Sequence, residues 1–490
     1  MAFTNEQEAG LISMLSAFQN AKRLNDLETA SGNVSDMRMI VQDESGETRQ
    51  IPVIDAIENA RNPIAGRYWD ETLSTPTAAG YYGSLEALKD LPQKLGLGRY
   101  LVTDGRVRRK LDPMDSTKFE DGSVAALDGT MGQCMWCWNA HYYTTWKDGN
   151  YTIEAITFSP LTGKKSVYVP AGGISWLGAG VMDRTNNKLA SVISNDVQYR
   201  GGNNAALSPD TYAKLSVDMP QCSMLGMPTT VMSTHNFGTN ARSRGTGWEA
   251  NWFVARAVVE YSERVILGTR NIQAAYNAAK DANGLYQGGL GAGVTAMPDW
   301  NGYNGSYPII PTSAGLSAGD GVGVETYEVK DKDGAIVYAA PVPVFFGLVH
   351  AGYGHLWGGI RGLLIDAGAT KTIAYVAPSM FNVFDDTTAD GLLRAAELPR
   401  NEGYIKKLST NLLCGLPTEV GATAATYFAD YFYTNAETSQ GFRVRLAGGL
   451  SNTGSAAGSS CSYSIYAAST ASAFLSASLC YFEADPEISA

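Results

Sequence analysis

An α+β fold is predicted from three observations. A single long helical period, over residues 247–268, stands among many short stretches of strand-like character. Glycine is abundant at 53 residues, and tyrosine at 26 outnumbers phenylalanine at 15, which favours many turns and half-exposed aromatics. A hydrophobic content of 44% over 490 residues suits two to four domains, or one large domain with insertions and an appendage.

The elements follow in chain order. Thr4-Asn5-Glu6-Gln7 fits a capping box, and Leu11, Met14, Leu15, Phe18 and Ala21 recur at helical spacing. So short an amphipathic helix is unstable alone in water. It must bury its stripe on its own domain, on a copy of itself or on a docking partner. Residues 37–43 and 48–57 read as a strand pair around the turn-rich Asp43-Glu44-Ser45-Gly46. ARNPIAG (60–66) and LSTPTAAGYYGS (73–84) read as a connector. Residues 1–95 are therefore a small helical and β attachment or oligomerisation region with its connector, and 96–490 the main domain. In the long helix, Trp248, Trp252, Ala255, Val259 and Ile266 share one face as a core stripe, Glu260 and Arg264 are an i,i+4 pair, and Gly268 is the expected C-cap.

The formal charge of −11 and a pI of about 5.0 give no gain from phosphate counterion release, so nucleic acid is excluded as a partner. The start, MAFTNEQEAG, lacks the basic and apolar regions of a signal peptide, and no apolar run of 18 residues predicts membrane insertion. The expectation is a protein made and assembled in a cytoplasm.

Chemistry-bearing motifs are weak. Cys134-Met-Trp-Cys137 is a CxxC with no second ligand pair, since Cys222 stands alone, and two buried thiols are the simpler reading than metal or redox use. His350 and His355 do not form HExxH and read as core or loop histidines. GKKS at 163–166 lacks the upstream glycine of a phosphate loop, and no Ser-His-acid set is assignable. The chain is expected not to be an enzyme, with no catalytic residues, no cofactor and no metal.

Residues 446–482 are unusual. In a chain that is 17% charged, about six charges are expected in that stretch by composition, yet it contains none, and no Gln, Met or Trp. Its ten serines argue against a buried strand pair, and its Tyr, Ile, Phe and Leu content argues against a solvated linker. Such a mixture suits a surface whose backbone is held while its side chains vary.

This stretch resembles the variable region of proteins diversified by retroelements. Adenine-directed mutagenesis there turns Asn codons AAC and AAT into NNC and NNT, which cannot encode Glu, Lys, Gln, Met or Trp. Every residue of 446–482 belongs to the accessible set. The resemblance includes GGLSNTGSAAG (448–458), GYIKKL (403–408), LPTEVGATAATYFADYFY (416–433), GFRVRLAGG (441–449), GHLWGGIRGLLIDAG (354–368), residues 127–152 and the long helix. It departs at Thr453, which intervenes in the glycine-rich opening motif, and at Phe474-Leu475-Ser476, where the family closes on Asn-Ile-Gly. Residues 159–244 find no counterpart and read as an insertion. Enzymes sharing the fold use two nearby cysteines with copper. Cys461 and Cys480 lie nineteen residues apart here, so that activity is not carried over.

The resemblance implies a C-type-lectin-like domain of the formylglycine-generating-enzyme type over 96–490, with its variable region at 446–482. It implies a ligand-binding face whose candidates are Leu450, Thr453, Ala456, Ser459, Ser460, Tyr463, Ile465, Tyr466, Thr470, Ser472 and Phe474. Aromatics would anchor binding and small residues would shape the relief. Gly448, Gly449, Gly454 and Gly458 are read as backbone requirements. Phage members sit at tail-fibre ends, so the implied role is a receptor-binding protein of a virion. It would be a homotrimer, joined to other tail or fibre proteins through its N-terminal region and bound to a host-surface protein or glycan. The alternatives are a bacterial ligand-display protein and a virion structural protein without receptor function.

Overall fold

The computed structural model describes residues 63–194, 196–199, 228–295, 310–330, 335–349, 353–472 and 474–489, and the backbone of 38–42 and 48–52. Strands Arg38–Gln42 and Thr48–Pro52, within the predicted strand pair, pair antiparallel with Ile40 opposite Gln50. The predicted N-terminal helix, Cys222 and His350 lie outside the described residues.

The chain forms two compact units. The first comprises Met1–Thr72, Ala78–Leu91 and His141–Tyr168. Its five-stranded sheet runs in the order Ser166–Val169, His141–Asp148, Tyr151–Thr157, Ala65–Asp70, Gly80–Gly83. Ile64, Ala155 and Leu161 form a small core, with Tyr82 and Trp146 packed on it edge to face at 5.2 Å. Three expectations are corrected here. The presumed connector contains two strands. A boundary at residue 95 does not divide the units. The stretch 127–152 is split, its Gln133–Trp138 strand lying in the second unit and its His141–Asp148 strand in the first. The physical reason is long-range pairing: Ala65–Asp70 bonds along its whole length to Tyr151–Thr157.

The second unit holds the remainder. Its six-stranded sheet is ordered Trp248–Ala250, Leu479–Phe482, Gly172–Ser175, Gln133–Trp138, Gly98–Val102, Arg108–Lys110. Every residue of Gln133–Trp138 is buried, which places Cys134 and Cys137 as free thiols inside the sheet core. Burial pushes the Cys137 thiol up to about 12, and the Cys134 thiol rises for the same reason. The stretch read as an insertion, 159–244, contributes described residues to the core of this unit. Gly172–Ser175 lies between two core strands, with Gly172 opposite both Trp138 and Phe482, and the helix Thr234–Arg242 buries Phe237 and Ala241. Taken together, the described residues are mostly β-sheet with few helices, an α+β arrangement. Among them no helix is long and apolar enough to cross a membrane.

The long helix is Phe253–Leu267, shorter than its apolar period, and Gly268 ends it in the left-handed conformation at φ 68° as predicted. Trp248 belongs instead to an edge strand, opposite Tyr481. A bend intervenes at Asn251, with φ 41°, before Trp252 takes the N-cap position. The helix is buried on all sides rather than along one stripe, charged residues included. Glu260 pairs with Arg256 one turn earlier, at 2.9 Å, and with Arg445 from outside the helix, at 2.7 Å.

A buried carboxyl beside another buried arginine, Arg99, makes the fold sensitive to pH. Arg99 donates to the Gly347 carbonyl (2.9 Å), Ser116 Oγ (3.0 Å) and the Gly315 carbonyl (2.7 Å). Its backbone N–H donates to Asp320 Oδ1 at 2.8 Å. Burial raises the Asp320 carboxyl to about 6, because desolvation outweighs that hydrogen bond and the nearby cations. The folded state thus holds the Asp320 proton more tightly than the unfolded chain. This share of stability is complete below about pH 4 and is lost as pH rises through about 6. Asp320→Asn keeps the acceptor and removes the titration. Its denaturation midpoint is expected to vary less between pH 4 and pH 7 than the parent's, by on the order of 2 kcal/mol in stability. Equal slopes for the two proteins would refute this linkage.

Candidate functional site

The charge-free segment crosses a seven-stranded sheet of the second unit. The order is Leu416–Val420, Gly403–Ser409, Tyr431–Tyr433, Gly458–Tyr463, Leu446–Gly448, Trp357–Gly359, Leu475–Ser476. Two pairings are parallel: Tyr431–Tyr433 with Gly458–Tyr463, and Trp357–Gly359 with Leu475–Ser476. Parallel neighbours need long connections, so the segment is threaded among strands that come from far earlier in the chain.

Frame atoms hold its backbone along most of its length. The Gly354 N–H donates to the Gly448 carbonyl, and the Gly454 N–H to the Thr295 carbonyl. Gln273 Nε2 donates to the Ala457 carbonyl and Arg256 Nη2 to the Ser459 carbonyl. Asp430 Oδ2 accepts from the Ser460 N–H at 2.8 Å. Val444, His235, Val231 and Trp357 donate their N–H groups to the carbonyls of Tyr466, Ala468, Ser472 and Phe474. These bonds engage main-chain atoms, so they do not depend on which side chains the segment carries.

The frame end of these contacts is a buried charge network. Glu260 bridges Arg256 and Arg445, and Arg445 Nε donates to Ser462 Oγ at 3.0 Å. Glu263 and Asp430 are fully buried, and burial holds both carboxyls well above their ordinary range. Asp430 also sets a limit on the segment. A Cβ on Gly458 would lie 1.8 Å from Asp430 Oδ1, and one on Gly449 2.7 Å from the Ala457 Cβ. Both glycines have left-handed φ, +151° and +92°, in line with their reading as backbone requirements.

Side chains divide by burial, and not by alternation, since Gly458 to Ser462 are buried without a break. Leu450, Thr453, Tyr463, Ile465, Tyr466, Thr470, Ser472 and Phe474 are half-buried. Leu450, Tyr463, Tyr466 and Phe474 rest one side on the core cluster around Trp357, Leu446 and Cys461. Thr453 Oγ1 accepts from the Leu450 N–H at 2.7 Å. Ala456, Ser459 and Ser460 are corrected: they are buried at 9%, 1% and 1% exposure and present nothing to a ligand. The reason is that both faces of the Gly458–Tyr463 strand are covered up to Ser462, with Asp430 and Arg256 clamping its start, and Ala456 lies in the short turn Gly454–Ala456 just before it.

What the sequence reading missed is an aromatic row that continues beyond the segment. Tyr404 and Tyr431 rings lie 5.0 Å apart, Tyr431 and Tyr433 4.5 Å, and Tyr433 and Tyr463 5.7 Å. The row goes on from Tyr463 to Tyr466 at 5.1 Å and from Tyr466 to Phe474 at 6.3 Å, with buried Trp357 beneath Tyr463 at 5.2 Å. Register explains it. Tyr404 sits opposite Tyr431, and Tyr433 opposite Tyr463, so all four share one face. The YFY alternation at 431–433 was the legible signal. Its strand partners were not legible. Burial, first of all, raises the phenols of Tyr431, Tyr433 and Tyr463, so they stay protonated at neutral pH.

His355 is a core histidine, fully buried, with the Ile310 N–H 3.2 Å from its ring nitrogens. Among the described residues no cluster of three or more His, Cys, Asp or Glu side chains suits a metal ion. No protein-family model matches this chain, and no curated protein matches it.

Proposed function

We propose that the chain is a receptor-binding protein. Its 446–482 face would be the exchangeable recognition surface of a retroelement-diversified, C-type-lectin-like domain at the tip of a phage tail fibre. The single observation that carries this reading is the main-chain anchoring of a charge-free segment in which Tyr463, Tyr466 and Phe474 remain half-exposed, while Tyr481 and Phe482 at its end are buried. A recognition loop needs a fixed course and replaceable side chains, the logic of antibody loops on a rigid sandwich. Half-exposed Tyr and Phe supply large contact area at low entropic cost. The partner in this reading is a host-surface receptor, and three copies would raise avidity by ~10²–10⁴ over one site.

The test is binding of the purified protein to a panel of bacterial cells. Tyr463→Ala, Tyr466→Ala and Phe474→Ala combined should lower binding to the responsive strain by at least about 100-fold. Because these rings rest on the core, each truncation also costs about 1–2 kcal/mol, so a still-cooperative melt a few degrees lower is the accompanying result. Undiminished binding by the folded triple variant would refute the reading. Light scattering should return three times the 52.3 kDa chain mass, and a monomer would remove the avidity argument.

A further inference from the structure

We infer that the frame half of the aromatic row, Tyr404, Tyr431 and Tyr433, is a constant platform for the rings of a neutral saccharide. This rests on the reading of 446–482 as a recognition face. These three residues lie outside that segment, on strands Gly403–Ser409 and Tyr431–Tyr433. Exchange of 446–482 would leave them in place, so different versions of the face would share one ligand class and differ in which member of it they accept.

The chemistry of the row selects the class. Four tyrosines on three adjacent strands make a strip of half-exposed rings whose cross-strand spacings, 5.0 and 5.7 Å, follow the strand separation. A sugar ring offers two things to such a strip: a face of weakly positive C–H bonds, which meets the negative π-face, and a rim of hydroxyls. The rim finds partners here. The phenols of Tyr431, Tyr433 and Tyr463 are held in the protonated, neutral form and both donate and accept. From the exchangeable segment, Tyr463 and the Ser455 hydroxyl, 3.3 Å from the Tyr404 hydroxyl, are partners that differ between versions of the face. The exposed carboxylate of Glu402 acts on Tyr431, Tyr433 and Tyr463 alike, and its Oε1 accepts from the Thr434 N–H at 3.1 Å. A carboxylate beside the strip accepts from sugar hydroxyls and repels acidic sugars and phosphate groups, as does a chain of net charge −11. The rings pack against one another in tilted and edge contacts, leaving a surface rather than a cage, which suits ring stacking better than capture of a compact cation.

The experiment has two arms, both with the full chain. In the first, the protein is applied to an array of neutral hexose and N-acetylhexosamine oligosaccharides beside uronate- and phosphate-bearing ones. Binding to neutral members is expected, falling at least tenfold in Tyr404→Ala and in Tyr431→Ala, with smaller losses in Tyr404→Phe and Tyr431→Phe, which keep the ring. Circular dichroism of each variant confirms that it is folded. No binding to any neutral saccharide, or equal binding by the folded Ala variants, overturns the inference. In the second arm, responsive cells are treated with periodate, which cleaves sugar diols, or with protease. Loss on periodate treatment supports the saccharide. Loss on protease treatment alone assigns a protein receptor and overturns it while leaving the recognition face standing. If array binding persists but the Tyr463, Tyr466 and Phe474 variant binds cells undiminished, the exchangeable-face reading fails and the saccharide platform stands.

Discussion

Glu260→Ala is expected to destabilise the second unit by about 3–5 kcal/mol, measured by chemical denaturation. Glu260 is 2% exposed, and its Oε1 lies 2.9 Å from Arg256 Nε and 2.7 Å from Arg445 Nη2. Arg256 and Arg445 are themselves 5% and 1% exposed. Removing the carboxylate takes the shared counter-charge from two buried guanidinium groups, and breaking a buried ion pair from one side costs more than any one hydrogen bond is worth. The damage should reach the recognition segment, because Arg256 holds the Ser459 carbonyl and Arg445 the Ser462 hydroxyl. Glu260→Gln keeps an acceptor of the same shape and is expected to lose less. A loss below about 1 kcal/mol in Glu260→Ala would mean that water or rearranged side chains solvate the arginines, and the clamp described above would be wrong.

Gly458→Ala carries the second large effect. The added methyl would stand 1.8 Å from Asp430 Oδ1 and 2.3 Å from its Cγ, on a backbone with φ +151°. Neither side yields easily. Asp430 is fully buried, and its other oxygen holds the Ser460 N–H. The strand on the far side of Gly458 is paired on both edges. A loss of about 3 kcal/mol or more, or failure to fold, is expected. The double variant Gly458→Ala, Asp430→Ala should recover part of it by removing the clash, giving a coupling energy above about 1 kcal/mol in a double-mutant cycle. Additive losses would show that the backbone conformation, not Asp430, makes glycine necessary. For a diversified segment the result has a consequence: positions such as Gly458 must be spared from exchange, whereas Tyr463, Tyr466 and Phe474 need not be.

Periodicity and turn chemistry were readable locally. The pair of strands at 38–52 and the glycine stop at Gly268 depend on residues within a few positions of one another. The absence of charge from 446–482, and with it the candidate face, was also plain from the chain alone. Placement within that face was not. Ser459 and Ser460 read like the half-exposed candidates Tyr463 and Ile465 until both faces of the strand that carries them are seen to be covered, with Asp430 and Arg256 clamping its start. Trp248 fits a helical stripe by spacing, yet it pairs with Tyr481, more than two hundred residues later.

The sequence by itself determined the α+β character, the long helix with its cap, and a C-terminal stretch free of charge and rich in tyrosine and serine. Only the tertiary structure decided that residues 141–168 join the first unit, that Gly172–Ser175 lies in the core of the second, and that Tyr404, Tyr431 and Tyr433 extend the row begun by Tyr463. The physical reason is the same in each case. A helix closes its hydrogen bonds within four residues, whereas a strand's neighbours, and therefore the face its side chains share, come from wherever in the chain the sheet finds them.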